Sequence, residues 1–448
     1  MIRVIDIAFG AWTIPLVRPF RFGIVELREL RHLLLRATFD IDGRQVAGFA
    51  GENLAPKWFW KRPETTIGQD VAALRQAVRD VAALATGIAA GSVFDLWLEL
   101  SRRVAAGLPL LPALVRQLGV SLVERCALDA MCRLASRPIH RLVREGLLGI
   151  RPQGLYPQIS GADVQAAMSP APPTHMVVRH TVGLADDLGE LQSALAGSGV
   201  RRLKIKLGGD VDADARRLEH IAGVIEAANV ERLTLDGNEN YPTSAALSAF
   251  LHRLADDRKL DRIRRRLAWI EQPLHRDVAL ADDVAPLLAA FPLFPHLIDE
   301  SDDDHASLPR ALELGYAGTT FKACKGVCKG LLAAAVLRRH GLTTGRATML
   351  SGEDLTIVAP WSQAQDLAAA AAIGVIDVER NGHHYAEGLS AFPAAIADAA
   401  LAAYPSMYVR DPRGAVTFRI ETGQINAVSA SAAGFGGPPL PFDLLERD

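Results

Sequence analysis

Between residues 175 and 390 the sequence alternates short apolar runs with helical segments, and this alternation restricts the fold more than any other feature. The strand candidates are HMVVRHTVG, RRLKIKLG, ERLTLDGN, LAWIEQPL, HLIDES, GTTFKA, ATMLSG and GVIDVERN. Their equivalent end positions Lys206, Asp236, Glu271, Asp299 and Lys322 are 30, 35, 28 and 23 residues apart. A parallel pair needs a long crossover, usually a helix, so this spacing suits parallel strands. Eight such repeats predict an α/β chain closing into a (β/α)8 barrel of the TIM type.

The flanks read differently. MIRVIDIAF, HLLLRATFDI and QVAGFAGEN are rich in β-branched and aromatic residues, and the Asp-Gly of DIDGRQ supplies a turn between the last two. GQDVAALRQAVRDVAALATG and SLVERCALDAMCRLASR repeat apolar residues at helical spacing. Residues 1–150 therefore form an N-terminal α+β part, 175–390 the barrel, and 391–448 a C-terminal helix and a tail rich in Gly and Pro. The 49 basic residues are balanced by 51 acidic ones, so nothing in the charge points to nucleic acid or a membrane surface. No apolar run reaches transmembrane length and the start lacks a signal-peptide pattern, so a cytoplasmic protein is expected. Cys126, Cys132, Cys324 and Cys328 form no Cys-X-X-Cys pair and read as buried reduced thiols.

Strands two to six each end in an ionisable residue, and side chains alternate along a strand. Ile205, Leu235, Ile270, Ile298 and Phe321 then face the helices, while Lys204, Lys206, Asp236, Glu271, Asp299 and Lys322 face the barrel axis. A lone acid after a strand is commonly a helix cap or a solvated loop residue. The same phase on five consecutive strands is not expected of unrelated caps. Carboxylates facing one point repel, and a hard dication such as Mg²⁺ resolves the repulsion with oxygen ligands. Lys204 and Lys206 pressed together on one strand disfavour each other's protonation, so a lysine with a pKa falling toward neutrality is expected as a general base.

At these residues the sequence resembles the enolase superfamily, and most closely its muconate-lactonizing (Lys-X-Lys) subgroup, among the proteins similar to mandelate racemase and muconate lactonizing enzyme. The matching motifs are KIK at 204–206, LDGN at 235–238, WIEQPL at 269–274, IDES at 298–301 and Lys322 in TFKACK. The resemblance implies that the N-terminal part is a capping domain completed by the C-terminal residues. It implies Asp236, Glu271 and Asp299 as ligands of Mg²⁺, or Mn²⁺ in its place. Lys206 and Lys322 would be acid/base groups on the two faces of the substrate, with Lys204 tuning Lys206. Asn238 would support the ligands by hydrogen bonding, and Glu300 is the fallback third ligand if the register shifts by one. The implied chemistry is abstraction of the proton α to a small-molecule carboxylate through an enediolate, giving a racemase, epimerase, cycloisomerase or dehydratase. Such enzymes are commonly homo-oligomers, which is the expectation here.

The chain departs from that pattern in places. KACKGVCKG places Val327 and Cys328 where the subgroup has glycines, and the seventh strand ends in MLSGEDLT with no His. Candidate substrate contacts are Arg18 and Arg21 in RPFRFGIVEL, Lys57, Trp58, Phe59 and Trp60 in NLAPKWFWKR, His180 and Thr181, Glu353, and His383 with His384. For the aromatics, packing between cap and barrel is the first reading. A metal-dependent barrel aldolase or lyase, and a barrel that binds metal and ligand without turnover, are the competing readings.

Overall fold

The computed structural model describes residues 1–22, 25–437 and 446–447. Most of the Gly- and Pro-rich tail, residues 438–445 and 448, lies outside the described residues, as do Gly23 and Ile24 of the RPFRFGIVEL segment.

The chain opens with an antiparallel meander of β1 (Ile2–Phe22), β2 (Val25–Ile41) and β3 (Arg44–Asn53). The β2–β3 turn is the expected Asp-Gly pair, with Asp42 and Gly43 at φ of 50° and 82°, the left-handed torsions that a tight two-residue hairpin demands. RPFRFGIVEL, which carries the candidates Arg18 and Arg21, is largely strand, with Phe20 paired to Leu27 and Arg21 to Glu26 near the end of a long ribbon. Helix α1 (Ile67–Ala85) starts at a capping box in which Thr66 and Gln69 satisfy each other's backbone N–H groups. After β4 (Ala89–Ala90), which pairs with β1, come α2 (Val93–Gly107), α3 (Ala113–Ala135), α4 (Ile139–Arg144) and α5 (Gly161–Ala167). Helix α3 lies against β3 so closely that a Cβ on Gly48 would stand 1.9 Å from the Cys126 carbonyl oxygen, so only glycine fits there.

The barrel strands are β5 (His175–Val182), β6 (Arg202–Lys206), β7 (Arg232–Asp236), β8 (Leu267–Glu271), β9 (His296–Ile298), β10 (Gly318–Phe321), β11 (Met349–Gly352) and β12 (Asp377–Glu379). Each pairs in parallel with its sequence neighbour, and β12 returns to pair with β5, so the sheet closes. These are the eight strands read from the sequence. The connecting helices are α6 (Leu188–Ser198), α7 (Val211–Ala227), α8 (Ser244–Asp256), α9 (Asp261–Arg264), α10 (Val284–Ala290), α11 (Ser307–Leu314), α12 (Val327–Thr344) and α13 (Pro360–Ile373). Helix α13 is buried along its whole length, touching α4 and β3 as well as α12. Its run of alanines follows from that position, since larger side chains would overfill a site enclosed on all sides.

The C-terminal segment adds α14 (Gly382–Tyr385), α15 (Ala394–Ala403), β13 (Tyr408–Arg410), β14 (Val416–Phe418), β15 (Gln424–Asn426) and β16 (Glu446–Arg447). It packs on both halves of the molecule. Strand β15 pairs antiparallel with the start of β5, and β16 pairs with Gly10 and Ala11 of β1. Trp12 Nε1 of β1 also donates to the Ala391 carbonyl at 2.7 Å.

Candidate active site

The predicted alternation places the ionisable side chains at the C-terminal end of the barrel, where barrel enzymes hold their catalytic groups. Lys206 and Asp236 end β6 and β7 and are register partners, as are Asp236 and Glu271. Asp299 and Lys322 follow β9 and β10 by one residue. Strands β6 and β10 are four apart in a closed ring of eight, so Lys206 and Lys322 stand across the axis from one another. The three acids sit on the intervening strands. All six axis-facing residues, Lys204 included, are buried.

Lys204 is the centre of the charge network. Its Nζ lies 2.9 Å from Asp236, 3.0 Å from Glu271, 2.6 Å from Glu353 and 3.0 Å from Glu379. Lys206 Nζ donates to Asp236 Oδ2 at 2.6 Å, and Lys322 Nζ donates to Asp299 Oδ2. Lys325 reaches the other Asp299 oxygen at 3.3 Å and Thr320 Oγ1 at 2.9 Å. Arg179, on the axis side of β5, pairs with Glu353 and donates to Ser351 Oγ at 2.8 Å. Glu379 and Arg179 were not among the sequence candidates. The signal was there: Val378 alternates with Glu379, and Arg179 shares the phase of Thr181, whose hydroxyl donates to Glu379.

The crowding of Lys204 against Lys206 predicts a depressed lysine pKa; at Lys204 the surrounding acids act in the opposite direction. Burial disfavours the Lys204 ammonium, but Asp236, Glu271, Glu353 and Glu379 outweigh it and hold its pKa well above the ordinary value. Burial likewise opposes the Lys322 ammonium, and Asp299 overcomes it in the same direction. Asp236 stays ionised despite burial because Lys204 and Lys206 face it, and Asp299 because of Lys322 and Lys325. Glu271 goes the other way, raised by burial and by the neighbouring Asp236 and Glu353. Glu300 is pushed up to about 7 by burial, then by Asp299 and Glu239.

Asp236, Glu271 and Asp299 offer the hard oxygen donors that Mg²⁺ prefers. Glu271 Oε2 lies 3.0 Å from Lys204 Nζ without accepting a hydrogen bond, and Glu300 Oε2 is buried with no hydrogen-bond partner. Buried carboxylate oxygens left in this way fit a site short of positive charge. Among the described residues no group of three or more His, Cys, Asp or Glu side chains is disposed so that it could hold a metal ion. Asn238 links two of the acids: its backbone N–H donates to Asp236 Oδ1 at 2.9 Å and its amide to Glu300 Oε1 at 3.3 Å.

The lysines open into a chamber of about 420 Å³, lined also by Asn238, Glu379, Trp58, Phe20 and residues of β1, β2 and α1. Trp58 places its ring centroid 4.7 Å from Lys322 Nζ, and Phe59 meets Trp58 edge-on. The other substrate candidates stand elsewhere. Lys57 is tied to Thr65 and, at 2.7 Å, to Asp70, so it braces the segment leading into α1. Arg18 lies over the Tyr385 ring, Arg21 pairs with Glu26, and Trp60 lies under Arg62. His180 projects from the outer side of β5, with its ring 4.1 Å from that of His384, which in turn is 3.8 Å from His383. Arg18, Arg21, Lys57, His180, His383 and Glu353 do not line the chamber.

A buried hydrogen-bond cluster fixes the wall of the site. Asn53 at the end of β3 donates to the Leu355 and Thr356 carbonyls at 3.0 and 2.9 Å. His32 of β2 bonds Asn53 through Nδ1 and meets Trp361 and Ser362 of α13 through Nε2. The first strands thereby hold the loop that follows Glu353.

No protein-family model matches the chain, and no curated protein matches it. Solved structures do. A mandelate racemase/muconate lactonizing protein from Herpetosiphon aurantiacus superposes with a TM-score of 0.64 at 18% identity, over 98% of this chain and 99% of the other. Muconate lactonizing enzyme from Pseudomonas fluorescens, complexed with muconolactone, gives 0.64 at 16% identity over 98% and 97%. A dipeptide epimerase from Cytophaga hutchinsonii, complexed with Mg and a dipeptide, gives 0.61 at 13% identity over 99% and 97%. The chain has the fold of these proteins along essentially its whole length. Among the described residues no helix is long and apolar enough to cross a membrane.

Proposed function

We propose that the protein is a Mg²⁺-dependent enzyme of the enolase superfamily, of the Lys-X-Lys kind, that removes the proton α to a substrate carboxylate. The observation that carries this reading is the disposition of Lys206 and Lys322 across the barrel axis, with Asp236, Glu271 and Asp299 on the strands between them. Racemisation or epimerisation is the outcome that two opposed lysines favour. If only one lysine moves a proton and the other serves as a cation, the same site gives β-elimination or cycloisomerisation.

Asp236, Glu271 and Asp299 would hold the ion, exchanging their lysine partners for it, with Glu300 and Asn238 beside them. When bound, the ion would draw in the substrate carboxylate and stabilise the charge that develops on it. Lys206 and Lys322 do the proton work. Each must present a free amine to act as base, and the partner across the axis then returns a proton to the opposite face of the same carbon. Lys204 stays protonated beside Glu353 and Glu379 and keeps them from repelling the incoming carboxylate. Trp58 shields the Lys322 side from water.

The test is exchange of the α-proton in D₂O, followed by NMR over α-substituted carboxylates, dipeptides and sugar acids, with and without Mg²⁺. Metal-dependent exchange is expected, lost in Lys206→Ala and in Lys322→Ala for one enantiomer each. Exchange surviving both substitutions would overturn the assignment. Metal-dependent carbon–carbon cleavage would favour the aldolase reading, and ligand binding without exchange a non-catalytic barrel.

A further inference from the structure

The chamber above the lysines does not end at the barrel. It continues along the β1–β2 ribbon to the first turns of α1, beyond anything needed to hold a carboxylate and its α-carbon. Its character changes on the way. At the barrel the walls are Lys204, Lys206, Lys322, Asn238 and Glu379; the β1, β2 and α1 part adds Trp12, Phe20, Leu27, Leu30, Ile67 and Val71, with Glu29, Arg31 and Arg75 among them. Leu27, Leu30, Phe20 and Trp58 are buried, Trp12 and Val71 are half-buried, and Ile67 is exposed at the outer end, so the apolar wall runs from the core to the chamber mouth. Its volume of about 420 Å³ falls within the range of roughly 300–1,000 Å³ typical of small-molecule sites.

We propose that the substrate is a carboxylate bearing an extended apolar arm, with the arm lying between the β1–β2 ribbon and α1. The inference rests on the reading of the lysines and acids as the carboxylate-binding end. The geometry gives the arm a direction: from the α-carbon past Trp58 toward Val71 and Ile67. A short, fully polar acid leaves this wall wet, whereas an alkyl or aryl arm removes apolar surface on both partners from water. Charge also lines this end, as Arg31, paired with Glu29 at 2.7 Å, and as Arg75.

The experiment uses the Mg²⁺-loaded protein and straight-chain carboxylates from acetate to octanoate, with binding followed by calorimetry. Affinity is expected to rise about fourfold per added methylene through the middle of the series, the gain expected for burying a CH₂ group. Val71→Trp, on α1 and outside the cluster of lysines and acids, is expected to weaken octanoate at least tenfold and leave butyrate unchanged. Affinity independent of chain length would overturn the proposal, and so would a Val71→Trp loss equal for all acids. Either result alongside α-proton exchange with short acids leaves the catalytic reading standing. Chain-length dependence without exchange in any acid supports the arm site and removes the catalytic reading.

Discussion

Replacing Lys204 by Met removes one charge and nearly conserves volume, and the structure sets the size of the effect. The Lys204 ammonium faces four carboxylates at 2.6–3.0 Å, all of them buried. Without it the folded protein must leave an acid uncompensated or keep a proton on it. Glu271 and Glu353 are the acids already raised by burial and by their acidic neighbours, so the proton goes there. In the unfolded chain the same group ionises near its ordinary value of 4.5. Holding one proton at pH 7.5 then costs about 4 kcal/mol, at about 1.4 kcal/mol per pH unit. This agrees with the roughly 3–5 kcal/mol lost when one partner of a buried ion pair is removed. The sign follows from the raised pKa: the folded variant binds more protons than the unfolded chain, so the deficit grows as pH rises above about 4.5. At pH 5.5 it should shrink to about 1.4 kcal/mol by the same relation. Urea unfolding of variant and wild type at pH 5.5 and 7.5, followed by tryptophan fluorescence, measures the difference. Mg²⁺ should restore part of the loss by bringing positive charge to the same acids. A deficit equal at both pH values, or none at pH 7.5, would refute the reasoning.

Other expectations concern the ligands, the wall and the buried histidines. Asp236→Ala should weaken Mg²⁺ binding at least tenfold by calorimetry, and unchanged affinity would count against the ligand assignment. Asn53→Ala strips hydrogen bonds from His32, Leu355 and Thr356 and should cost about 3 kcal/mol in unfolding experiments, with faster hydrogen exchange over residues 353–358. His32, His180 and His296 are held neutral, chiefly by burial, with pKa values lowered to about 4. The unfolded chain takes up these protons near pH 6.5 and the folded one does not, so stability should fall as pH drops from 6.5 toward 4, by up to about 1.4 kcal/mol per unit for each histidine. His296→Leu should flatten that slope, measured as melting temperature against pH, because its Nε2 has no partner to lose.

How far the sequence could be read depended on whether one strand carried its own signal. The eight barrel strands and the axis-facing phase of strands two to six follow from alternation within four or five residues, a local property. Glu379 and Arg179 obeyed the same alternation, but their strands lacked a motif that drew attention to them. Partners set by three-dimensional proximity were another matter. Nothing in KIK shows that Lys204 has four acids around it, since Glu353 and Glu379 lie 149 and 175 residues further along the chain. Lys57 and Arg21 looked like free cations in loops. Asp70, which pairs with Lys57, lies in α1, and Glu26 meets Arg21 only because the two strands of the ribbon fold back on each other.

The seam of the barrel has a consequence for how the chain comes into being. Val177 of β5 stands in register with both Asp377 of β12 and Gln424 of β15. The first barrel strand to leave the ribosome must wait for both its late partners until nearly the whole polypeptide has been made. During that interval β5 shows an unsatisfied edge, which invites pairing with strands of other nascent chains. Slowing translation over the second half of the message should therefore raise the aggregated fraction, whereas the same delay before residue 175 should not.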